Sequence, residues 1–439
     1  MAKVNVKRNP IYTHEGAVAK RINPEQQLKR SVMACMLWEN TFYESGVSIA
    51  ERIASFVPKV NSTRVAMMAI EAREKMKLRH APLLLLRELA RFKGTTIAKT
   101  LTRVIQRPDE ITEFLAMYWK DGKCPLSAQV KKGLAGAFNK FDEYALAKYN
   151  RDGKVKLRDA LFLSHAKPAD AAQSVLFKKL VDNTLAVPDT WEVGLSAGGN
   201  KKEIFTRLLK EGKLGALALL RNLRNMEQAN VDRTVIKDAL SAMKVDRVLP
   251  FRFIAAARYA PYLEPQLEDA LFRCIAGKEK LPGRTVLLID VSGSMESEIS
   301  GKSQMTRMEA ACGIGMLARE LCDDAMIMTF SNELEQVPPR KGFALSDAIV
   351  RSQPHGGTYL GNAVRVILSK NRYIDRIIVI TDEQSHDRVP DPGIKNAYMI
   401  NVGSYKNGVG YGPWTHIDGF SEAVLDYIVE FEKHNDASV

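Results

Sequence analysis

The chain has few cysteines for its length, and none is spaced for joint chemistry. Five of its 439 residues are cysteine, Cys35, Cys124, Cys274, Cys312 and Cys322. The number is odd, the positions are scattered and no C-x-x-C pair occurs. That pattern excludes a disulfide framework and a cysteine-ligated zinc site and fits a reducing cytosol. No run approaches the roughly 18 consecutive apolar residues of a membrane span. The opening MAKVNVKRNP is charged and no apolar stretch follows it, so the reading is of an unsecreted, cytoplasmic protein without membrane partners. Regular sequence repeats are also missing, the nearest echo being LLRELARF at 85–92 against LLRNLRNM at 219–226.

What is present divides at GKEKLPGRT, residues 277–285. From Thr285 onward 14 lysines and arginines face 21 acids, net −7, which leaves 50 against 30, net +20, in residues 1–284. A basic excess of that size fits a polyanion, most simply a nucleic acid. Periodicity changes at the same place. Residues 25–275 hold segment after segment with apolar residues three and four apart, such as EQQLKRSVMACMLWEN, APLLLLRELARF and VDRTVIKDALSAM. Short helices in series without strands predict a helical-repeat array. After residue 285 strands alternate with helices: strand 286–290, helix 308–322, strand 325–330, helices 343–351 and 360–370, strands 376–382 and 396–402, helix 421–432. This predicts a doubly wound α/β domain with a mainly parallel sheet.

In TVLLIDVSGSM, residues 285–295, four apolar residues run into Asp290, Ser292 and Ser294. Neither a phosphate loop nor a nucleophile elbow has this spacing. One carboxylate and two hydroxyls at a strand's carboxyl end are hard oxygen donors, suited to a divalent cation. HGGTYLGNAV at 355–364 places Thr358 behind two glycines, and IIVITDEQ at 377–384 places Asp382 at the end of a second apolar strand. Any one of these residues alone reads as a turn or cap. Together they predict a magnesium site, with manganese as substitute, that keeps room for an outside acidic group. No base histidine is placed beside the serines, since His355 has no visible orienting partner, and two aspartates are too few for a two-metal nuclease. The chain reads as a non-enzyme.

D-x-S-x-S at 290–294, G-G-T at 356–358 and T-D at 381–382 resemble the metal-ion-dependent adhesion site of von Willebrand factor A domains. An A domain following a basic helical array resembles the Ro autoantigen family, whose amino-terminal module is called TROVE. MLWENTFYESG at 36–46, LFLSHAKPAD at 161–170 and FTRLLKEGKLGALALLRNLRNM at 205–226 extend the likeness, closest to bacterial and phage members. The resemblance implies a HEAT-like ring followed by the α/β domain, divided as an arm at 1–24, a helical RNA-binding domain at 25–276, a linker at 277–284 and the A domain at 285–439. It also implies a monomer that carries small structured Y-like RNA outside and single-stranded 3′ ends of misfolded RNA in its hole, presents such ends to an exoribonuclease and does not bind DNA. Its H-x-K-P element matches His165 and Lys167. Lys148, Arg151, Lys154, Lys156, Arg158 and Lys167 place six cations within 20 residues around that histidine. Lys201, Lys202, Arg207, Arg221 and Arg224 are the candidates for the hole. Trp38, Phe42 and Tyr43 could stack on bases, but aromatics at helical spacing belong more often to a core. The competing reading is an assembly adaptor whose A domain grips an acidic partner through the metal.

Overall fold

The computed structural model describes residues 9–92, 97–370 and 373–436. Two compact units form, one from Ala50–Ala242 and one from Met1–Ile49 together with Met243–Val439.

The first unit is helical, with no strand among its described residues, and runs from the later part of helix Gly46–Phe56 to helix Arg233–Ala242. Its helices begin where side chains can cap them. Asn61, Ser127, Asp142, Asp170, Thr190 and Asn200 each accept a hydrogen bond from a first-turn amide. His165 and Asn183 end their helices in the left-handed conformation. Polar contacts between helices recur at similar sequence separations. Arg79–Asp109 spans 30 residues, Asn150–Asn183 spans 33, Lys179–Glu143 spans 36 and Arg73–Glu110 spans 37. A structural repeat of helix pairs therefore exists although the sequence repeats almost nothing.

Helices Ile97–Val104 and Ala128–Phe138 come unusually close, because Gly133 and Gly136 present bare backbone to the neighbour. A Cβ on Gly133 would lie 2.9 Å from Leu101 Cβ, and one on Gly136 would lie 2.7 Å from Thr102 Oγ1. The Thr102 hydroxyl uses the approach to donate to the Gly133 carbonyl at 2.9 Å.

The second unit is built on a six-stranded sheet: β1 Leu281–Asp290, β2 Cys322–Phe330, β3 Leu334–Gln336, β4 Arg376–Thr381, β5 Asn396–Asn401 and β6 Thr415–Asp418. The order is β3-β2-β1-β4-β5-β6, parallel except for β3. This is the doubly wound order, and its direction reverses between β1 and β4, where a crevice opens beyond the strands' carboxyl ends. The β1 and β4 interior positions Val286–Ile289 and Ile377–Ile380 are fully buried. Helix Arg307–Leu321 packs on this sheet with nearly every residue buried.

Three differences from the sequence reading have physical causes. Residues 281–284 of the expected linker are the start of β1, which pairs with Cys322 and Asp324 of β2. Strands β3 and β6 carry no long apolar run, because each lies at an edge of the sheet and has one neighbour. Residues 25–49 and 243–276, read as part of the helical domain, fold with the sheet unit. The reason is visible at Arg30 of helix Pro24–Met33, whose guanidinium is fully buried and must find charge there. It donates to Glu383 Oε2 at 2.8 Å, to the Tyr405 carbonyl at 2.6 Å and to the Asn407 carbonyl at 3.1 Å. His416 Nε2 stands 2.5 Å from the other Glu383 oxygen.

Candidate functional site

The β1–β4 crevice gathers the acidic candidates. Ile289 pairs with Ile380, so Asp290 and the Thr381–Asp382 pair emerge side by side from adjacent strands. Asp290 and Asp382 are both 0% exposed. Asp290 Oδ1 accepts from the Ser292 amide at 2.9 Å and Oδ2 accepts from the Thr381 hydroxyl at 2.5 Å, both neutral donors. Burial, and after it the nearby Asp382 charge, pushes the Asp290 carboxyl up to about 7.

The hydroxyls are held around it by backbone. Ser292 and Ser294 place their Oγ atoms 3.3 Å apart. The Gly293 amide donates to the Gly356 carbonyl at 2.9 Å, which ties the serine loop to the glycine loop. Gly356 is needed there, since a Cβ would lie 2.3 Å from Asn332 Nδ2. Thr358 is buried, its amide donates to His386 Nδ1 at 3.0 Å, and its carbonyl accepts from the His386 amide at 2.8 Å. All five sequence candidates, Asp290, Ser292, Ser294, Thr358 and Asp382, thus lie on three loops bonded to one another. Among the described residues no group of three or more histidine, cysteine, aspartate or glutamate side chains is placed to hold a metal, so a cation here would rest on two carboxylates and hydroxyls. That donor set, buried and acidic, fits a hard divalent ion.

Two residues of this centre were not anticipated. Arg307, buried at the start of its helix, donates to the Ser294 carbonyl at 3.0 Å and reaches within 3.9 Å of Asp382 Oδ2. Tyr43 donates its hydroxyl to the same Asp382 oxygen at 2.6 Å, beneath the Arg307 guanidinium, which lies 4.9 Å from the ring centre. Burial and the Asp382 charge raise the Tyr43 hydroxyl far above its usual range. The aromatic run 38–43 is therefore neither plain core nor a free stacking platform, since Phe42 is exposed while Tyr43 faces the carboxylates. His355, read as unoriented, is held at Nδ1 by Glu296 at 2.6 Å and at Nε2 by the Val350 carbonyl at 2.9 Å. Burial would lower its pKa, but these two partners outweigh that and raise it.

In the helical unit, His165 and Lys167 join residues from far earlier in the chain. They line a cavity of about 470 Å³ with Lys99, Lys132, Thr102, Asn139 and Ser164, and no acid lines it. Lys131 adds its ammonium 3.4 Å from His165 Nε2. Lys99, Lys131 and Lys132 were missed because they stand on the two helices that the glycines of VKKGLAGAF bring together. Lys148 and Arg151 line a different cavity, opposite Glu192. Lys148 lies over the Tyr144 and Tyr149 rings, and Lys156 pairs with Asp152 at 2.8 Å. Arg151, Lys154 and Arg158 are exposed. Of the candidates for the hole, Arg207 is committed to acids, pairing with both Asp189 oxygens at 2.6 and 2.7 Å and with Glu211 at 3.2 Å. Lys201, Lys202, Arg221 and Arg224 are exposed.

A helical-repeat unit in one chain with an α/β unit whose carboxylates meet at the sheet's switch point defines a helical-repeat protein bearing a von Willebrand A domain. Two family models match it, the TROVE domain over residues 182–309 and the Ro60 vWA domain over residues 284–392. The two matches follow one another in the order TROVE then vWA and support a Ro-family protein. It is 24% identical to the RNA-binding protein RO60 of Deinococcus radiodurans over 316 residues, which cover 58% of this chain and 59% of that protein. A segment of 88 residues, 19% of this chain, is 35% identical to 3% of telomerase protein component 1 of Mus musculus. The chain thus spans under two thirds of the length of these relatives. The fold is similar to the crystal structure of the Deinococcus radiodurans RO (RSR) protein, with a TM-score of 0.62 and 18% identity over 93% of this chain and all of that one.

Proposed function

We propose that this protein binds RNA through its helical unit, holding small structured Y-like RNA on the basic face and single-stranded 3′ ends of misfolded RNA elsewhere on that unit, and serves non-coding RNA quality control as a scaffold and not as a catalyst. The observation that carries the reading is the acid-free cavity where Lys99, Lys132, His165 and Lys167 converge. Phosphates dominate affinity for nucleic acids, and ammonium groups gathered without competing carboxylates are what they require. The histidine can donate to a phosphate or stack on an unpaired base. The name of the Deinococcus relative and the TROVE match support the same reading. Handing RNA ends to an exoribonuclease is part of the proposal.

In the same proposal the β1–β4 crevice holds magnesium, or manganese in its place, with Asp290, Ser292, Ser294, Thr358 and Asp382 around it. The ion would add positive charge beside Asp290, whose two hydrogen-bond donors are neutral, and lock three loops together.

The test is a gel shift with a small hairpin RNA, wild type against His165→Asn combined with Lys167→Ala. Asparagine tolerates the left-handed backbone at position 165, φ 52°, so loss of binding reports contacts and not folding. At least about tenfold weaker binding is expected, as for the loss of two contacts. Equal affinity in the folded variant removes this face from the function.

A further inference from the structure

We propose that residues 38–46 form an internal cap on the carboxylate crevice, with the Tyr43 hydroxyl occupying the position from which an external acidic ligand would approach. In a doubly wound sheet, access to the switch point comes from beyond the strands' carboxyl ends. The two aspartates also hold partners on other sides. Asp290 is enclosed by the Ser292 amide and the Thr381 hydroxyl, and Asp382 Oδ1 accepts from the Gln384 amide at 3.3 Å. Asp382 Oδ2 accepts from Tyr43, a residue 339 positions earlier in the chain.

The loop is built to stay there. The Tyr43 ring is wedged among His14, Phe42 and Tyr405, with ring centres 4.9, 5.0 and 5.4 Å away. The His14 amide in turn donates to Gln384 Oε1 at 2.8 Å. Glu39 bonds to the Ser300 hydroxyl, and the Asn40 carbonyl accepts from the Gly301 amide at 2.8 Å. The loop closes on itself through Thr41 N to Glu44 O at 2.8 Å and Gly46 N to Asn40 Oδ1 at 3.0 Å.

The consequence is a change of use for the adhesion-type residues. Asp382 satisfies a side chain of its own chain, so a partner's carboxylate reaches the crevice only after residues 38–46 lift. The cap itself rests on geometry alone, while its effect on carboxylate ligands rests on the metal reading.

The experiment therefore has two arms on the full chain. In the first, done in EDTA, amide hydrogen exchange of residues 38–46 is compared between wild type and Tyr43→Phe, which keeps the ring and removes the donor. Exchange about tenfold faster in the variant is expected if the hydroxyl anchors the loop, and unchanged exchange overturns the cap whatever the metal does. In the second, Mn²⁺ uptake is followed by water-proton relaxation, with acetate as the carboxylate probe, in wild type and Tyr43→Ala. With the cap open in no more than about a tenth of the molecules, acetate should bind wild type at least about tenfold more weakly than the variant. Equal acetate affinity for both proteins overturns the cap. Wild type that takes up no Mn²⁺ overturns the metal reading, and the exchange arm then decides the cap alone.

Discussion

The basic cavity makes a quantitative prediction about salt. Lys99, Lys132 and Lys167 line it with His165, and a bound phosphate backbone would displace counterions from each contact. With three phosphates neutralised, the slope of log affinity on log salt is about −2.7, so affinity should fall about 40-fold between roughly 50 and 200 mM salt. Lys132→Ala with Lys167→Ala removes two of those contacts, leaving a slope near −0.9 and a fall of about 3.5-fold over the same range. Arg207→Ala is the internal control. Its guanidinium already satisfies Asp189 and Glu211, so its removal should leave the slope unchanged. The assay is fluorescence anisotropy of a labelled hairpin RNA at four or more salt concentrations, with circular dichroism to check folding. Parallel lines for wild type and the double-lysine variant would refute the argument, because they would place the phosphates somewhere else.

Other perturbations have expected outcomes of their own. Arg30→Met strands the buried Glu383 carboxylate, which Arg30 and His416 hold down at about 2 against the effect of burial, and should cost about 3–5 kcal/mol by urea denaturation. Adding Glu383→Gln to it should recover part of that loss, and no recovery would count against the pairing. Gly133→Ala pushes a methyl toward Leu101 Cβ and the Ala98 carbonyl and should destabilise the helical unit by about 1–3 kcal/mol despite alanine's better helix propensity; a stabilised variant would disprove the close packing. Asp290→Asn should raise the melting temperature in EDTA, since it removes a charge buried next to Asp382. In magnesium at about 100 times its Kd, wild type alone should gain about 2.7 kcal/mol, which reverses the order of the two proteins. For His355, NMR titration should find a pKa above the ordinary 6.5, and Glu296→Gln should bring it down, because burial then acts with less opposition.

The fold was legible where burial is one-sided or complete. The unbroken apolar runs of β1 and β4 announce strands covered on both faces, and helix Arg307–Leu321 between them carries its cap, Thr306, in the sequence. The edge strands were not legible, because Leu334–Gln336 and Thr415–Asp418 each pair on one side only and need little apolar surface. Unit membership was harder still. Helix Pro24–Met33 has the same apolar rhythm as the helices of the repeat array, and what assigns it to the sheet is one buried guanidinium whose acid lies 353 residues away. Periodicity reports that a face is buried and carries no information about its partner.

The same limit governs the candidate sites. The five oxygen donors could be read because each follows a strand or a glycine pair, so local sequence already places it at the crevice. The residues that decide how the crevice and the basic face behave, Tyr43, Arg307, Lys99 and Lys132, sit in ordinary helical or loop sequence and acquire meaning only through contacts. Lys132 belongs beside His165 because Gly133 and Gly136 let two helices close to van der Waals contact. Tyr43 belongs at Asp382 because Gly46 and Asn40 fold its loop tightly enough to reach. In both places small residues do the positioning and larger ones the chemistry. A mutational search for function confined to charged and aromatic residues would thus miss Gly46, Gly133 and Gly136, whose replacement should disable the two sites separately, each within its own unit.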